Sequence, residues 1–290
     1  MFKKVKKSLG GMPRLIILVL AFLALIFGVT LSKNNQKPQN LEVKESAFKA
    51  SLDQAQKEAE EKKKAEEETK RFITNFGPCR YLPILTYHHI GGGTNPLFVK
   101  SEIFDTQMDY LKKKGYTAVT LKDVVENLRS AQVLPNKPVV LTFDDGYRDF
   151  YENAFPILSK YSLSATLFVI TQLVGGDDYV TWDQLRVIVS SGLVTIGDHT
   201  LSHVSLPSVE EAEVRNQILS AKSILESNLD VTVNTFAYPY GGVNEEAEKV
   251  LAEGGFVAAV TTKRGLSCAK LPYELPRVRV GNAPLSNYGL

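Results

Sequence analysis

Cysteine, tryptophan and histidine are scarce in this chain of 290 residues, which has two, one and four of them respectively. Two cysteines exclude a disulfide-dense scaffold and a multi-cysteine zinc or iron–sulfur centre. Cys79 and Cys268 lie near the two ends of the globular region. In an exported protein they either join those ends or remain two thiols, because spacing alone does not give geometry. A basic block is missing from residues 72–290, which hold 19 Lys and Arg against 23 Asp and Glu. A mildly acidic body without a basic stripe gives no electrostatic basis for nucleic-acid binding. Internal repeats and low-complexity segments are also absent from this region.

What is present falls into segments. Residues 1–14 carry Lys3, Lys4, Lys6, Lys7 and Arg14 and no acid. Residues 15–31 are an uncharged, mostly apolar run of seventeen. At about 1.5 Å per residue, a helix of that length just spans a bilayer core. The basic flank is expected on the cytoplasmic side, which sends the remainder outside. A cleaved signal peptide is the rival reading. The following Ser32-Lys33-Asn34-Asn35 offers no small-residue cleavage pattern, so a transmembrane signal-anchor is favoured. Residues 32–78 form a charged linker. The stretch KEAEEKKKAEEETKR at 57–71 has many Glu–Lys pairs three and four apart and too few apolar residues for a heptad seam. A solvated helical stalk is expected there.

Residues 79–290 alternate short apolar runs with amphipathic stretches. Strands are predicted at 82–87, 139–143, 165–170, 194–196, 235–238 and 257–260. Helices are predicted at 103–114, 121–129, 151–160, 182–190, 209–228 and 245–252. Strand-then-helix alternation predicts an α/β fold with a parallel sheet, open or closed into a barrel.

Polar residues of few types recur at the predicted strand ends. The first strand ends in Tyr87, His88 and His89. The second runs into Asp144, Asp145 and Gly146. A lone Asp-Asp-Gly is usually a turn. Two adjacent carboxylates at a strand end can also divide roles, one holding a metal and the other acting as a base. His199 and His203 follow another strand with Thr200 between them, which excludes the His-Glu-x-x-His pattern of zinc proteases. On a helical turn, positions four apart share a face, so both imidazoles could reach one cation. With Asp145 they give two imidazoles and one carboxylate, a set suited to Zn²⁺ or another divalent transition metal. AYPYG at 237–241 and Leu275-Pro276-Arg277 are weak signals alone.

The order TFDDG (142–146), HTLSH (199–203) and AYPYG (237–241) resembles the polysaccharide deacetylase family, the NodB-homology or carbohydrate esterase family 4 domain. The likeness covers about 80–280. It implies a distorted (β/α) barrel with one divalent metal, usually Zn²⁺, held by Asp145, His199 and His203. It makes Asp144 the general base and assigns the main-chain N–H of Tyr240 to the oxyanion. Two departures follow. The third motif's arginine is Ala237 here, and Arg277 is the candidate to replace it. No histidine follows His203, and the Tyr87-His88 pair resembles the subgroup acting on poly-β-1,6-N-acetylglucosamine. His88 is therefore the candidate general acid, with His89 its neighbouring alternative.

The resemblance implies removal of N-acetyl groups from a cell-surface polysaccharide, with poly-N-acetylglucosamine ahead of peptidoglycan. An O-acetyl glycan esterase and a catalytically weak glycan-binding domain are the alternatives. The expected setting is the cell membrane with the catalytic domain outside, or secretion if the N-terminal segment is cut.

Overall fold

Glu, Lys and Ala dominate residues 39–76, and they form one helix, α1 (Gln39–Phe76). The computed structural model describes residues 39–130 and 132–290. The predicted membrane span at 15–31 lies outside them. No helix among the described residues is long and apolar enough to cross a membrane. At 1.5 Å per residue, 38 residues give α1 a length of about 57 Å. Its side chains are mostly exposed from residue 46 to residue 72. Gln54 donates to Glu58 at 3.1 Å, and Lys62 lies 4.0 Å from Glu66, the i,i+4 ties expected of a solvated helix. The chain falls into two units, Met1–Phe72 and Ile73–Leu290.

The second unit begins with β1 (Cys79–Arg80), β2 (Ile84–Tyr87), β3 (His89–Ile90) and β4 (Phe98–Val99). Next come α2 (Ser101–Lys113), β5 (Thr117–Ala118), α3 (Leu121–Arg129) and β6 (Pro138–Phe143). A π-turn at Phe150–Ala154 leads into α4 (Phe155–Tyr161), followed by β7 (Ala165–Val169), α5 (Trp182–Ser190) and β8 (Val194–Asp198). The chain continues through α6 (Glu211–Leu229), β9 (Thr235–Ala237), α7 (Glu245–Glu253) and β10 (Ala258–Val260). It ends with β11 (Ser267–Cys268) and β12 (Val278–Arg279).

β6 and β7 are buried and rich in β-branched residues, which suits parallel strands covered on both faces. Thr120 and Thr181 each form a capping box, with Asp123 and Gln184, and so start α3 and α5 sharply. The sheet runs β10-β9-β8-β7-β6-β2-β12, with β5 added on β6, and every pairing is parallel. Helices cover it from outside. Leu141, Phe143, Leu167 and Phe236 pack on one side, while Ile84, Val140, Phe168 and Val260 pack with α3 on the other.

One segment bridges the two ends of this path. Leu275 exchanges backbone hydrogen bonds with β10, donating to Ala259 at 2.9 Å and accepting from Thr261 at 2.9 Å. Three residues later Val278 pairs with Leu85 of β2. The half-barrel of regular strands is thus joined by the stretch at 275–280, in which Arg277 lies between the two pairings. At the other end of the unit β1 pairs with β11, and Cys79 and Cys268 form a disulfide.

Candidate active site

Parallel strands deliver their C-terminal ends to one face, so the residues after β2, β6, β8 and β9 meet there. The Asp144 main-chain N–H donates to Tyr87 O at 3.0 Å, and that of His199 to Val169 O at 3.1 Å. These bonds fix the two motifs to neighbouring strand ends. The backbone is forced as it turns away. Asp145, Thr200, His203 and Tyr240 adopt φ values of 74°, 70°, 62° and 60°. Left-handed conformations in non-glycine residues cost of order 1–3 kcal/mol each and concentrate at functional sites. Gly241 is required as glycine. Its φ is 76°, and a Cβ there would lie 2.1 Å from Thr262 Oγ1 and 2.8 Å from Thr262 N.

Asp145 Oδ1 lies 3.3 Å from His199 Nε2 and 3.3 Å from His203 Nε2. It is buried and receives no hydrogen bond. The three ligand atoms lie within 4.8 Å of one another. Both imidazoles are held from behind. His199 Nδ1 donates to Ala237 O at 2.7 Å, and His203 Nδ1 meets Tyr240 Oη at 3.1 Å. Each ring therefore turns its Nε2 toward Asp145, the orientation a metal needs, and the Ala237 carbonyl fixes the His199 proton on Nδ1. An orphaned buried carboxylate oxygen between two oriented imidazoles fits one divalent cation. The predicted route to this pair is corrected in one respect. His199 and His203 lie on an irregular turn, not on a helix, because Thr200 and His203 carry positive φ. Thr200 Oγ1 accepts from the His203 N–H at 3.0 Å and closes that turn.

Asp144, 4 % exposed, faces Arg277, 2 % exposed. Arg277 Nη1 donates to Asp144 Oδ1 and Nη2 to Oδ2, both at 2.7 Å. Two further N–H groups are also used. Nη1 reaches Thr142 Oγ1 at 3.1 Å and Nε reaches Thr261 O at 2.9 Å. This is a complete planar fork on a buried carboxylate. Burial pushes the Asp144 carboxyl up, but the Arg277 charge and hydrogen bonds, helped by His199 and His88, hold it below the usual carboxylate range. Burial likewise raises Asp145, and the neighbouring imidazoles overcome it and keep that carboxyl ionised.

The structure separates the two adjacent histidines. His88 Nε2 lies 3.9 Å from Asp144 Oδ2, with 18 % of its side chain exposed. Burial lowers its pKa from the ordinary imidazole value. His89 points elsewhere, pairing with Asp149 at 2.7 Å between the rings of Phe98 and Tyr147. Tyr240 is 70 % exposed at the mouth of the site. Two contributors carried no signal of their own in the sequence. Thr142 supports Arg277, and the Tyr147 hydroxyl is raised first by burial and then by the Asp145 charge beside it. Both stand within or next to the TFDDG motif, which is the only mark that could have pointed to them.

A family model described as polysaccharide deacetylase matches residues 131–259, which include Asp144, Asp145, His199 and His203. YxkH of Bacillus subtilis (strain 168), itself assigned to the polysaccharide deacetylases, is 32 % identical over 233 residues, or 80 % of this chain and 82 % of its own length. The chain belongs to the polysaccharide deacetylase family. Among solved structures, the Streptococcus pyogenes deacetylase PplD in complex with acetate aligns at a TM-score of 0.69 with 29 % identity, covering 73 % of this chain and 97 % of PplD. The poly-β-1,6-N-acetyl-D-glucosamine N-deacetylase of Escherichia coli (strain K12) is 28 % identical over 228 residues, 64 % of this chain. The match spans 34 % of that longer protein. As a polysaccharide deacetylase the chain is an enzyme.

Proposed function

We propose that this chain removes N-acetyl groups from poly-N-acetylglucosamine, releasing acetate and leaving a glucosamine unit. The observation that carries the reading is the placement of His88 Nε2 3.9 Å from Asp144, at the end of β2. An acid on that strand serves the site without any histidine after His203, and it accompanies similarity to an enzyme named for this polymer.

In this proposal Asp145, His199 and His203 hold one divalent metal, with Zn²⁺ the first choice for two imidazoles and a carboxylate. When bound, such an ion supplies Lewis-acid polarisation of the acetamide carbonyl and acidifies the attacking water. Asp144 takes a proton from that water as its oxygen bonds to the carbonyl carbon. Arg277 keeps the carboxylate ionised and fixed in its plane. The Tyr240 main-chain N–H stabilises the oxyanion of the tetrahedral species. His88 then gives a proton to the amide nitrogen as the C–N bond breaks, so acetate and a free amine leave. The Cys79–Cys268 bond supports placement in an oxidising, extracytoplasmic compartment. Tethering by residues 15–31 is part of the same proposal, with the charged stalk carrying the catalytic unit toward its polymer.

The test is acetate release by the full chain with added Zn²⁺. β-1,6-linked N-acetylglucosamine oligomers, peptidoglycan fragments and an O-acetylated xylan are offered side by side. Release from the first, abolished in Asp144→Asn, is the expected result. Release only from one of the others would move the substrate to that glycan, and binding without release would make the chain a glycan-binding domain.

A further inference from the structure

The two imidazoles beside Asp145 are held by partners of different kinds. His199 is buried, and its Nδ1 donates to Ala237 O at 2.7 Å. A carbonyl only accepts, so the proton of that ring is fixed on Nδ1. His203 is more open, with 24 % of its side chain exposed, and its Nδ1 meets the Tyr240 hydroxyl at 3.1 Å. A hydroxyl donates or accepts, so this ring can take either tautomer. The Tyr240 ring also meets the His203 ring edge to face, with centroids 4.7 Å apart and planes at 61°. The backbone of Tyr240 is fixed from its other side. The Gly241 N–H donates to Tyr238 O at 2.9 Å, and the Thr262 hydroxyl donates to Tyr240 O at 3.4 Å. Tyr240 and His203 both have left-handed backbones, with φ of 60° and 62°. Two costly conformations thus lean on each other through their side chains.

A cation at Nε2 requires the His203 proton on Nδ1, and Nδ1–H then donates to the Tyr240 hydroxyl. The exposed phenol is free to turn its hydrogen toward water and accept that bond. The same residue presents the main-chain N–H assigned to the oxyanion. We propose that Tyr240 couples the two halves of the site. Its side chain positions His203, and through that contact the occupied metal site sets the backbone that carries the oxyanion N–H. The inference rests on the metal and oxyanion assignments of the proposed function and goes beyond them by making the two interdependent.

Tyr240→Phe keeps the ring and removes the hydroxyl. Zn²⁺ binding to the full chain is measured by competition with a chromophoric chelator. Acetate binding is measured calorimetrically on the zinc-saturated chain, since this anion probes the oxyanion N–H whichever glycan is the substrate. Zn²⁺ is expected to bind the variant roughly tenfold more weakly, the lower end of the range for a lost outer partner, because water reaches His203. With zinc saturating, acetate is expected to bind the variant roughly three- to tenfold more weakly. The zinc-free melting temperatures should agree within about 2 °C, as for a surface substitution. An unchanged Zn²⁺ affinity would overturn the proposal. So would an unchanged acetate affinity at saturating zinc, which would leave Tyr240 a support of His203 alone. A larger fall in the zinc-free melting temperature would assign both losses to a loosened fold and overturn it too. Acetate release from β-1,6-linked N-acetylglucosamine oligomers is followed with the wild-type chain. Both losses in the variant, with no release by the wild type, support the coupling and sink the N-deacetylase reading. Release by the wild type, with neither loss in the variant, does the reverse.

Discussion

Arg277 shows how one side chain can carry a role that sequence motifs place elsewhere. The motif position, Ala237, lies buried at the end of β9 and contributes only its carbonyl, which accepts from His199. The guanidinium arrives instead from the segment bridging β10 and β2, and it uses three nitrogens on Asp144, Thr142 and Thr261. Removing it strands a buried carboxylate. Arg277→Ala is expected to lower kcat by about a hundredfold or more, the scale of a lost general base, with a smaller change in KM. Stability should fall by about 3–5 kcal/mol, read from denaturant unfolding, because an unpaired charge is left inside. Arg277→Lys keeps the charge without the fork and should fall between, since a single ammonium does not bind both oxygens in one plane. Equal kcat for Arg277→Ala and wild type would remove Arg277 from the site. His88 gives a pH signature. Burial lowers its pKa below the ordinary imidazole value, and an acid acts only while protonated. The rate should therefore fall as pH rises through that lowered value. In His88→Asn this alkaline limb should disappear and kcat should drop by about 10²–10⁴-fold. An unchanged alkaline limb in the variant would assign the acid to another group.

At the scale of elements, the site is made by short irregular turns that regular strands hold in place. The turn after β9 is the tightest of them, and Gly241 admits no side chain there. Gly241→Ala combines a positive φ with a collision against Thr262 backbone. It should cost about 1–3 kcal/mol in thermal or urea unfolding, and it should weaken catalysis by moving Tyr240. A variant as active and stable as wild type would show that this turn does not need its present shape. The same contrast explains what could be read from the sequence. The six principal strands and six helices were legible because apolar runs such as 139–143 and amphipathic stretches such as 182–190 carry the periods of their elements. That His199 and His203 converge with Asp145 was legible from residue type. The backbone between the two histidines was not, because i,i+4 spacing suggests a helix while the positive φ values of Thr200 and His203 arise from strand-end packing. β12 was missed for a related reason. Two residues carry no period, and their pairing with β2 joins positions nearly 200 residues apart. The partner of Asp144 could be proposed only as a candidate, since the stretch at 275–280 that brings Arg277 to it is placed only once β10 and β2 are assembled.

The whole catalytic unit is held at two places remote in sequence. The Cys79–Cys268 bond closes a loop with a sequence separation of 189, and its loss in Cys79→Ser/Cys268→Ser should cost about 2–5 kcal/mol in unfolding free energy. An unchanged melting temperature in that variant would show that β1–β11 pairing holds the ends by itself. The second fastening is the cluster of Asp145, His199 and His203, which lies on three strained backbone positions or their neighbours and leaves one buried carboxylate oxygen without a hydrogen bond. Such a cluster is costly by itself, and a cation that binds only the folded chain compensates for that cost. Binding at a concentration a hundred times Kd stabilises the folded state by about 2.7 kcal/mol. For a domain of this size each kcal/mol moves the melting temperature by about 2–4 °C. Chelation with EDTA should therefore lower the melting temperature of the full chain by about 5–10 °C, and Zn²⁺ should restore it. Asp145→Asn removes the anionic ligand but keeps its shape. It should melt at the same temperature with or without Zn²⁺, and in the same experiment it should release no acetate. A wild-type chain whose melting point ignores both chelator and metal would show that the three side chains form a self-sufficient polar cluster. In that case, the water to be activated by Asp144 would have to be oriented by the protein alone.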